Sequence, residues 1–440
     1  ATTDKGLKTL DINATAENAA ITISGNIGTT GQAGAGATNI GNNSMTATLS
    51  LDGSMYNTSG TTVYEADALS FGKGSATTVK SSQTISFNDA TVTLEDGSSL
   101  TVDTSGANKA ILFQGAIDSA DSTNADETLT IDAGSGNVTL AGIGTSAGSS
   151  NIKTVAVTGT TITLEKKPGA TALYETDSDG SITLTGNVVL GDNTTLDTDN
   201  GGTGGANIEI TGTILSDAVD ANSTLTISSG SGTVTVGGDI GATADYQLGD
   251  VTINAAGSGA VSLNDIGADG DGGVGNIAVG NTSDTTGITF TGTLYESDGT
   301  QTYNLKNAAA LFTASGGAIE FETRNKDIKF DTGTIKLSDD DHLTIKSGGG
   351  IITIAGITGT SDETVTLNAN KVGGTLTEKI VQTGDIGTEI AKVQFNAVDG
   401  IQLSGDITTS DAGTASVTLT GPVTIEGDVD INTTASNQVI

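Results

Sequence analysis

Apolar and polar residues alternate in short runs along most of the chain. One seven-residue pattern recurs, with apolar residues at its first, third and seventh positions and a Gly at its fifth. Complete copies occupy residues 21–27, 111–117, 182–188, 208–214, 234–240, 288–294, 401–407, 417–423 and 423–429. Alternation with a period of two predicts a β-strand with one buried face. A Gly weakens or bends a strand, so each copy predicts a strand that ends at a corner.

Complete and near copies of this pattern begin at nearly constant intervals. The starts are Ile85, Ile111, Val138, Ile182, Ile208, Val234, Val261 and Ile288. Within residues 85–138 and within residues 182–288 they are 26 or 27 residues apart. This interval suits one coil of two or three short strands with their turns, and it is too short for a separate β-sandwich. The sequence therefore predicts an all-β fold, a right-handed parallel β-helix (β-solenoid) with coils of about 26 residues.

The repeats also predict how the chain is divided. We expect a continuous β-solenoid over residues 21–431, with irregular loops near residues 30–83 and 298–318. The segments 1–20 and 432–440 lie outside it, and neither resembles a cap. The ends of an uncapped solenoid expose unpaired backbone N–H and C=O groups. Each end segment is therefore a candidate strand for pairing with a neighbouring subunit.

Six of the eight Phe residues share one position, two residues after an apolar strand residue. They are Phe87, Phe113, Phe290, Phe321, Phe330 and Phe395. In stacked coils, equivalent positions lie directly over one another. Phe87 and Phe113 are therefore expected to form an internal aromatic ladder.

A Tyr-Glu motif occurs three times, at residues 63–67, 173–177 and 294–298. Because Tyr anchors protein interfaces well, one interpretation is a row of lateral contacts. The other is a single structural turn that was copied twice, and this interpretation is favoured.

The composition restricts the kind of core that the chain can form. Its 440 residues include 63 Gly and 2 Pro but no Cys and no Trp, and only 3% are aromatic. Such a chain favours a long, narrow core of small and β-branched residues. The abundance of Gly, Ser, Thr and Asn would also suit disorder, but disordered chains have no reason to keep Val, Ile and Leu in regular alternation.

The net charge limits the partners of the protein. Asp and Glu number 52 against 17 Lys and Arg, which gives a formal charge of −35. Nucleic acids and anionic membranes require a basic face, so neither is an expected partner. No run of apolar residues approaches the ~18–20 that a transmembrane helix needs. A strongly acidic surface does attract divalent cations.

Calcium is the metal that the sequence favours, although no cofactor is required. Three acidic turns offer the oxygen ligands that Ca²⁺ prefers: Asp177 with Asp179, Asp197 with Asp199, and Asp269 with Asp271. None of them completes an EF-hand loop, and Asp also occupies turns for conformational reasons alone. The absence of Cys and the presence of one His argue against thiol catalysis and a His-based zinc site.

The residues that carbohydrate-cleaving enzymes need are scarce. Such reactions use Arg or Lys to abstract a proton, or a pair of carboxylates. The one Arg, Arg324, lies in a cationic stretch with Lys326 and Lys329, and the one His, His342, follows three Asp residues at 339–341. A solvated loop is the favoured interpretation of both stretches, and no catalytic residue is predicted.

Residues 136–142, Gly-Asn-Val-Thr-Leu-Ala-Gly, resemble the repeats of the haemagglutinin and autotransporter-passenger family of bacterial β-helices. The resemblance is clearest over residues 85–300, and its motifs are generic. The composition is also similar to that of bacterial surface-layer proteins. This resemblance implies an exported protein, located outside the cell or on its surface.

Three classes of function follow from these observations. The first is a self-assembling structural protein of a filament, sheath or surface layer. The second is an adhesin stalk or a module that binds cell-surface or extracellular polysaccharide, and aromatic residues lining a groove would favour it. The third is a carbohydrate-active enzyme, which a groove of carboxylates with Arg and Lys would favour. Near-uniform coils with uncovered ends favour the first, so we predict a non-catalytic structural protein that associates with itself.

Overall fold

The computed structural model consists of β-strands and turns. It describes residues 7–14, 17–32, 34–42, 46–72, 75–88, 90–120, 126–144, 152–166, 172–199, 204–218, 222–243, 246–254, 259–268, 273–281, 285–305, 309–312, 317–330, 332–360, 362–370, 378–409 and 416–433. No helix occurs among these residues. The chain divides into two compact units, unit 1 over Ala1–Asp217 and unit 2 over Ala218–Ile440.

Unit 1 contains the first 21 strands of the described residues. They are β1 (Leu7–Ile12), β2 (Ala19–Ile23), β3 (Ala35–Gly41), β4 (Thr46–Leu51), β5 (Met55–Thr58), β6 (Thr62–Glu65), β7 (Ala68–Phe71), β8 (Ala76–Ser81), β9 (Ile85–Asn88), β10 (Thr91–Leu94), β11 (Ser99–Asp103), β12 (Ile111–Phe113), β13 (Ile117–Ser119), β14 (Glu127–Asp132), β15 (Val138–Leu140), β16 (Ile152–Leu164), β17 (Ala172–Glu175), β18 (Ser181–Leu190), β19 (Thr194–Asp197), β20 (Ile208–Ile210) and β21 (Ile214–Ser216).

Unit 2 contains the remaining 23 strands of the described residues. They are β22 (Leu225–Ser228), β23 (Val234–Val236), β24 (Val251–Asn254), β25 (Ala260–Leu263), β26 (Ile277–Val279), β27 (Gly287–Phe290), β28 (Leu294–Ser297), β29 (Gln301–Tyr303), β30 (Ala309–Phe312), β31 (Ala318–Thr323), β32 (Ile328–Phe330), β33 (Thr334–Lys336), β34 (His342–Lys346), β35 (Ile351–Ile354), β36 (Ile357–Thr358), β37 (Glu363–Ala369), β38 (Lys379–Gln382), β39 (Ile386–Ala397), β40 (Gly400–Leu403), β41 (Ile407–Thr409), β42 (Ser416–Thr420), β43 (Val423–Ile425) and β44 (Ile431–Thr433).

Each unit is a parallel β-solenoid with three strand positions in a turn. In unit 1, β10, β11 and β12 pair in parallel with β13, β14 and β15 of the next turn. In unit 2, β32, β33 and β34 pair in the same way with β35, β36 and β37. Equivalent strands are about 26 residues apart, which confirms the predicted fold class and coil length. The handedness of the coil stays a prediction.

The strand register confirms the predicted repeat residue by residue. Ile111 pairs with Ile85 of the preceding turn and with Val138 of the following turn. In unit 2, Val261 pairs with Val234 and with Ile288. Each apolar start of the repeat therefore lies over the start of the next one.

The core of each unit is a column of stacked side chains. Phe113 stacks on Phe87 with ring centroids 4.3 Å apart and an interplanar angle of 13°, as predicted. Tyr64 extends this ladder by one turn, 5.1 Å from Phe87. All eight Phe side chains are buried, including Phe71 and Phe312, which are not among the six that the prediction names.

The Gly of the repeat lies at the corner between two strand positions, where the backbone of the neighbouring turn passes close by. A Cβ on Gly115 would lie 1.9 Å from the carbonyl oxygen of Ala90. Gly186 has a φ of +139°, and a Cβ there would lie 1.8 Å from the carbonyl oxygen of Gly159. No side chain fits at such a distance, so these two corners require glycine.

Described strands lie in both regions where the sequence predicts irregular loops, residues 30–83 and 298–318. The first region contains six strands, β3 to β8, and the second contains β29 and β30. Phe312 on β30 stacks on Phe290 of the preceding turn at 4.9 Å, so this region belongs to the regular core. At the start of the chain, β1 pairs in parallel with β3 of the same chain. Residues 434–440 lie outside the described residues.

The three Tyr-Glu motifs do not occupy equivalent places. Tyr174 and Tyr295 each form an isolated parallel bridge with an Ile of the preceding turn. The residue that makes this bridge near the start of unit 1 is Tyr56, whereas Tyr64 lies on β6 in the aromatic ladder. All four Tyr side chains are buried, with at most 2% of their surface exposed. The interpretation as a row of lateral contacts is therefore wrong, and the motif is part of the core.

Candidate functional site

A strip of charged side chains runs across three neighbouring strands of unit 2. Parallel pairing aligns Glu296 on β28 with Glu322 on β31, and Glu322 with Lys346 on β34. Because alternate strand residues face opposite sides, these residues lie on the face opposite the core residues Tyr295 and Phe321. We call the following set the charged strip: Glu296, Asp298, Glu320, Glu322, Arg324 and Lys346.

Lys346 is paired with two carboxylates of the neighbouring turn. Its Nζ lies 2.5 Å from Oε1 of Glu320 and 3.6 Å from Oε2 of Glu322. Partial burial raises the pKa of Glu322, and the Glu320 and Glu296 carboxylates raise it further against the opposing charge of Lys346. Burial alone would lower the pKa of Lys346, but the hydrogen bond and charge of Glu320 outweigh it and raise that pKa.

Arg324 lies just beyond the end of β31 and contacts the other two carboxylates of the strip. Its Nε lies 3.3 Å from Oδ1 of Asp298, and its Nη2 lies 4.0 Å from Oε1 of Glu296. The Glu296 side chain is only 5% exposed, so its charge is largely shielded from water. Arg324, predicted to lie in a solvated loop, is half exposed but takes part in this ionic contact between turns.

His342 is the first residue of β34, and its Nδ1 lies 3.0 Å from Oγ1 of Thr364 on the next turn. Of the three Asp residues before it, Asp341 is buried and its Oδ2 accepts a hydrogen bond from the backbone N–H of Ser338 at 2.8 Å. Asp341 therefore closes the turn that leads into β34.

Chemically, the strip offers a carboxylate pair beside an amine, which is a minimal acid–base set. It lies on the outward face of a sheet, however, and platforms for sugar rings are scarce. All eight Phe and five of the six Tyr side chains are buried, and Tyr246 is the aromatic residue with an exposed ring, at 40%. Partly exposed ion pairs of this kind stabilise a fold by about 0–1 kcal/mol. The geometry therefore fits ionic pairing between turns better than carbohydrate chemistry.

The described residues of the predicted calcium turns contact their own turn and, at Asp179, the preceding turn. Oδ1 of Asp197 accepts the N–H of Asp199 at 2.8 Å, and the carbonyl oxygen of Asp177 accepts the N–H of Gly180 at 2.7 Å. Asp179 is exposed, with an oxygen 4.0 Å from Nζ of Lys153. Asp269 and Asp271 lie outside the described residues. Calcium binding at these six residues stays a prediction.

Among the described residues, three carboxylates converge at a different place, formed by Asp96, Asp126 and Glu127 of unit 1. The sequence contains a signal for this site that motif reading missed. The triplet Asp-Glu-Thr directly precedes an alternating strand at residues 126–128 and again at residues 362–364. In both triplets the Glu is the first residue of the strand, and the alternation places this residue on the inward face. A charged residue is unusual at such a position.

Within the described part of the chain, no helix is long and apolar enough to cross a membrane. Compared with known proteins, the chain matches no family model, no curated protein and no solved structure.

Proposed function

We propose that this protein is a non-catalytic structural protein of the cell exterior that assembles end to end into a filament, sheath or surface layer. The observation that carries the proposal is an uncovered apolar turn in unit 2. On β43, Val423 is 43% exposed and Ile425 is 56% exposed. These residues pair with Ile401 and Leu403 of the preceding turn, which are 1% and 0% exposed.

The exposed residues of β43 occupy the inward register, so they would be buried if another turn lay on top of them. The strands β42, β43 and β44 pair with β39, β40 and β41, and within the described residues each has a partner on one side only. A parallel strand with a free edge can accept a further parallel strand. The occupant we propose is the β1–β2 turn of a second copy of this chain.

Among the described strands, those of the first turn of unit 1 also have a free edge, to which the last described turn of a second copy could pair. Within the described residues, β1 and β2 pair only with β3 and β4. Leu7 on β1 is 58% exposed. When two different open edges pair, the two copies make a head-to-tail contact. Each added copy again presents a free edge, so further copies can add unless the chain of copies closes into a ring. Filament growth is the consequence of this geometry.

The distribution of aromatic residues supports a structural role over carbohydrate binding. Sugar recognition uses exposed aromatic faces, whereas here thirteen of the fourteen Phe and Tyr side chains are buried. They serve instead as the stacked interior of the solenoid.

Electron microscopy and analytical ultracentrifugation of the purified chain over a range of concentrations test the proposal. We expect filaments whose length increases with concentration. Ile425→Lys places a charge in the proposed contact and should leave single particles. Thr424→Lys, on the outward face of the same strand, should still assemble. Uniform single particles of the unaltered chain at every concentration would show that the proposal is wrong.

A further inference from the structure

The turn between β10 and β11 faces the start of β14 on the next turn of unit 1. The turn is closed by a hydrogen bond from the N–H of Ser98 to the carbonyl oxygen of Glu95 at 2.9 Å. One carboxylate oxygen from each of Asp96, Asp126 and Glu127 lies within 4.8 Å of the others. Two oxygens bound to one Ca²⁺ at 2.3–2.6 Å lie at most about 5 Å apart, so a single ion can contact all three carboxylates.

Backbone groups fix the positions of two of these carboxylates. The N–H of Gly97 donates to Oδ1 of Asp126 at 3.0 Å and to Oε1 of Glu127 at 3.3 Å. Gly97 has a φ of +69°, a conformation that suits glycine. The N–H of Gly97 therefore holds the carboxylates of Asp126 and Glu127 side by side at the turn.

The second oxygen of Glu127 is the observation that points most directly to a bound cation. Glu127 is 0% exposed, and its Oε2 has no hydrogen-bond partner among the described residues. A buried carboxylate oxygen without a partner is strongly unfavourable, and a bound cation would compensate for it.

Unit 2 contains the same local structure in a form that needs no ion. Glu363 also follows an Asp, begins a strand at a register shift and is 0% exposed. Its Oε1 accepts both the N–H and the O–H of Thr360, each at 2.7 Å. No cluster of three carboxylates occurs there among the described residues. There, Thr360 of the same turn supplies two donors to the carboxylate of Glu363.

We propose that Asp96, Asp126 and Glu127 bind one Ca²⁺ ion between two turns of unit 1, with water completing its coordination. All three ligands are carboxylates, the hard donors that Ca²⁺ prefers. Ca²⁺ takes 6–8 oxygens in flexible geometry, whereas Mg²⁺ demands a near-ideal octahedron. The ion would tie the turn at Asp96 to the strand that begins at Glu127 and so fasten neighbouring coils together.

The test is calorimetric titration of the chelator-treated full chain with CaCl₂, together with its thermal unfolding with and without the ion. Wild-type protein should show one saturable site above the weak binding common to all acidic surfaces, and its Tm should rise. Glu127→Gln and Asp96→Asn should weaken that site at least tenfold and abolish the rise in Tm. Glu363→Gln, the matched change in unit 2, should keep both.

Identical calcium titrations for the wild type and Asp96→Asn would overturn the proposal. Asp96 is partly exposed, so this variant decides the question even if Glu127→Gln does not fold. An equal rise in Tm with MgCl₂ at the same concentration would overturn the assignment to Ca²⁺.

Discussion

Phe113 stacks on Phe87, 26 residues earlier in the chain, with ring centroids 4.3 Å apart. Both rings are fully buried, so the ladder lies within the narrow core of unit 1. The contact joins two successive turns, and its partners are fixed by the strand register, which pairs Phe113 directly with Phe87.

Phe113→Ala should destabilise the protein by about 3–5 kcal/mol, because it removes buried surface and leaves a cavity that a stacked core cannot close. Leu112→Ala on the same strand provides the control, since Leu112 faces outward and is only partly buried. Its expected effect is below about 1 kcal/mol. Urea unfolding followed by circular dichroism measures both values. Equal effects for the two variants would show that the ladder is not a core element.

Gly186→Ala should destabilise unit 1 by at least about 2 kcal/mol. The φ of +139° is unfavourable for alanine, and its Cβ would meet the carbonyl oxygen of Gly159. Gly106→Ala is the matched change, because a Cβ on Gly106 has no atom within 4 Å and its φ is not in the positive range. Thermal unfolding should show a clear fall in Tm for the first variant and almost none for the second. A similar Tm for both would contradict the close stacking of corners.

The charged strip predicts a pH dependence with a definite sign. The pKa of Glu322 is raised in the folded state, so the folded protein holds this proton to a higher pH than the unfolded chain does. The contribution to the free energy of unfolding is therefore present below the ordinary Glu pKa and is lost as pH rises through the raised value. Solvent screens this half-exposed group, so the effect should stay below about 1 kcal/mol.

Glu322→Gln removes the ionisable group whose pKa is raised. The difference in Tm between wild type and Glu322→Gln, measured from pH 4 to pH 8, should favour the variant increasingly as pH rises. A difference that is constant with pH would show that the pKa of Glu322 is not shifted by folding, and a change in the opposite direction would show that it is lowered.

The coil length and the Phe ladder could be predicted from the sequence because every buried position recurs once per turn. The strands β5 and β6 were missed because polar residues occupy inward positions there. Thr58 and Thr62 are buried, and their hydroxyl groups lie 2.5 Å apart. A rule that requires alternating apolar residues therefore fails where stacked hydroxyl groups bond to one another and to the turns.

The Asp-Glu-Thr triplet marks only two of the three carboxylates that converge in unit 1, because Asp96 lies outside it. Asp96 and Glu127 are 31 positions apart, and only the stacking of successive turns brings them together. The predicted calcium turns consist of acidic residues close in sequence, and Oδ1 of Asp197 accepts the N–H of Asp199 within its own turn. In a solenoid, groups that converge come from adjacent turns, so a search for sites must compare residues one coil apart.

A column of side chains at one corner of unit 2 predicts how a second copy would dock. Oδ1 of Asp385 accepts the N–H of Asp406 on the next turn at 3.0 Å, and Oδ1 of Asp406 accepts the N–H of Asp430 at 2.8 Å. Asp430 is exposed and belongs to the last described turn. By the same rule, its carboxylate would accept a backbone N–H of the docked copy.

Asp430→Ala should therefore raise the protein concentration required for end-to-end assembly at least tenfold. The reason is that it leaves a backbone N–H of the incoming copy without an acceptor. Asp430→Asn should retain assembly, since Asn276 plays this role elsewhere in unit 2, where its Oδ1 accepts the N–H of Thr300 at 2.9 Å. Sedimentation of both variants, with the Tm measured alongside, separates assembly from folding. Loss of assembly in both variants at an unchanged Tm would mean that charge, and not hydrogen-bond acceptance, governs the contact.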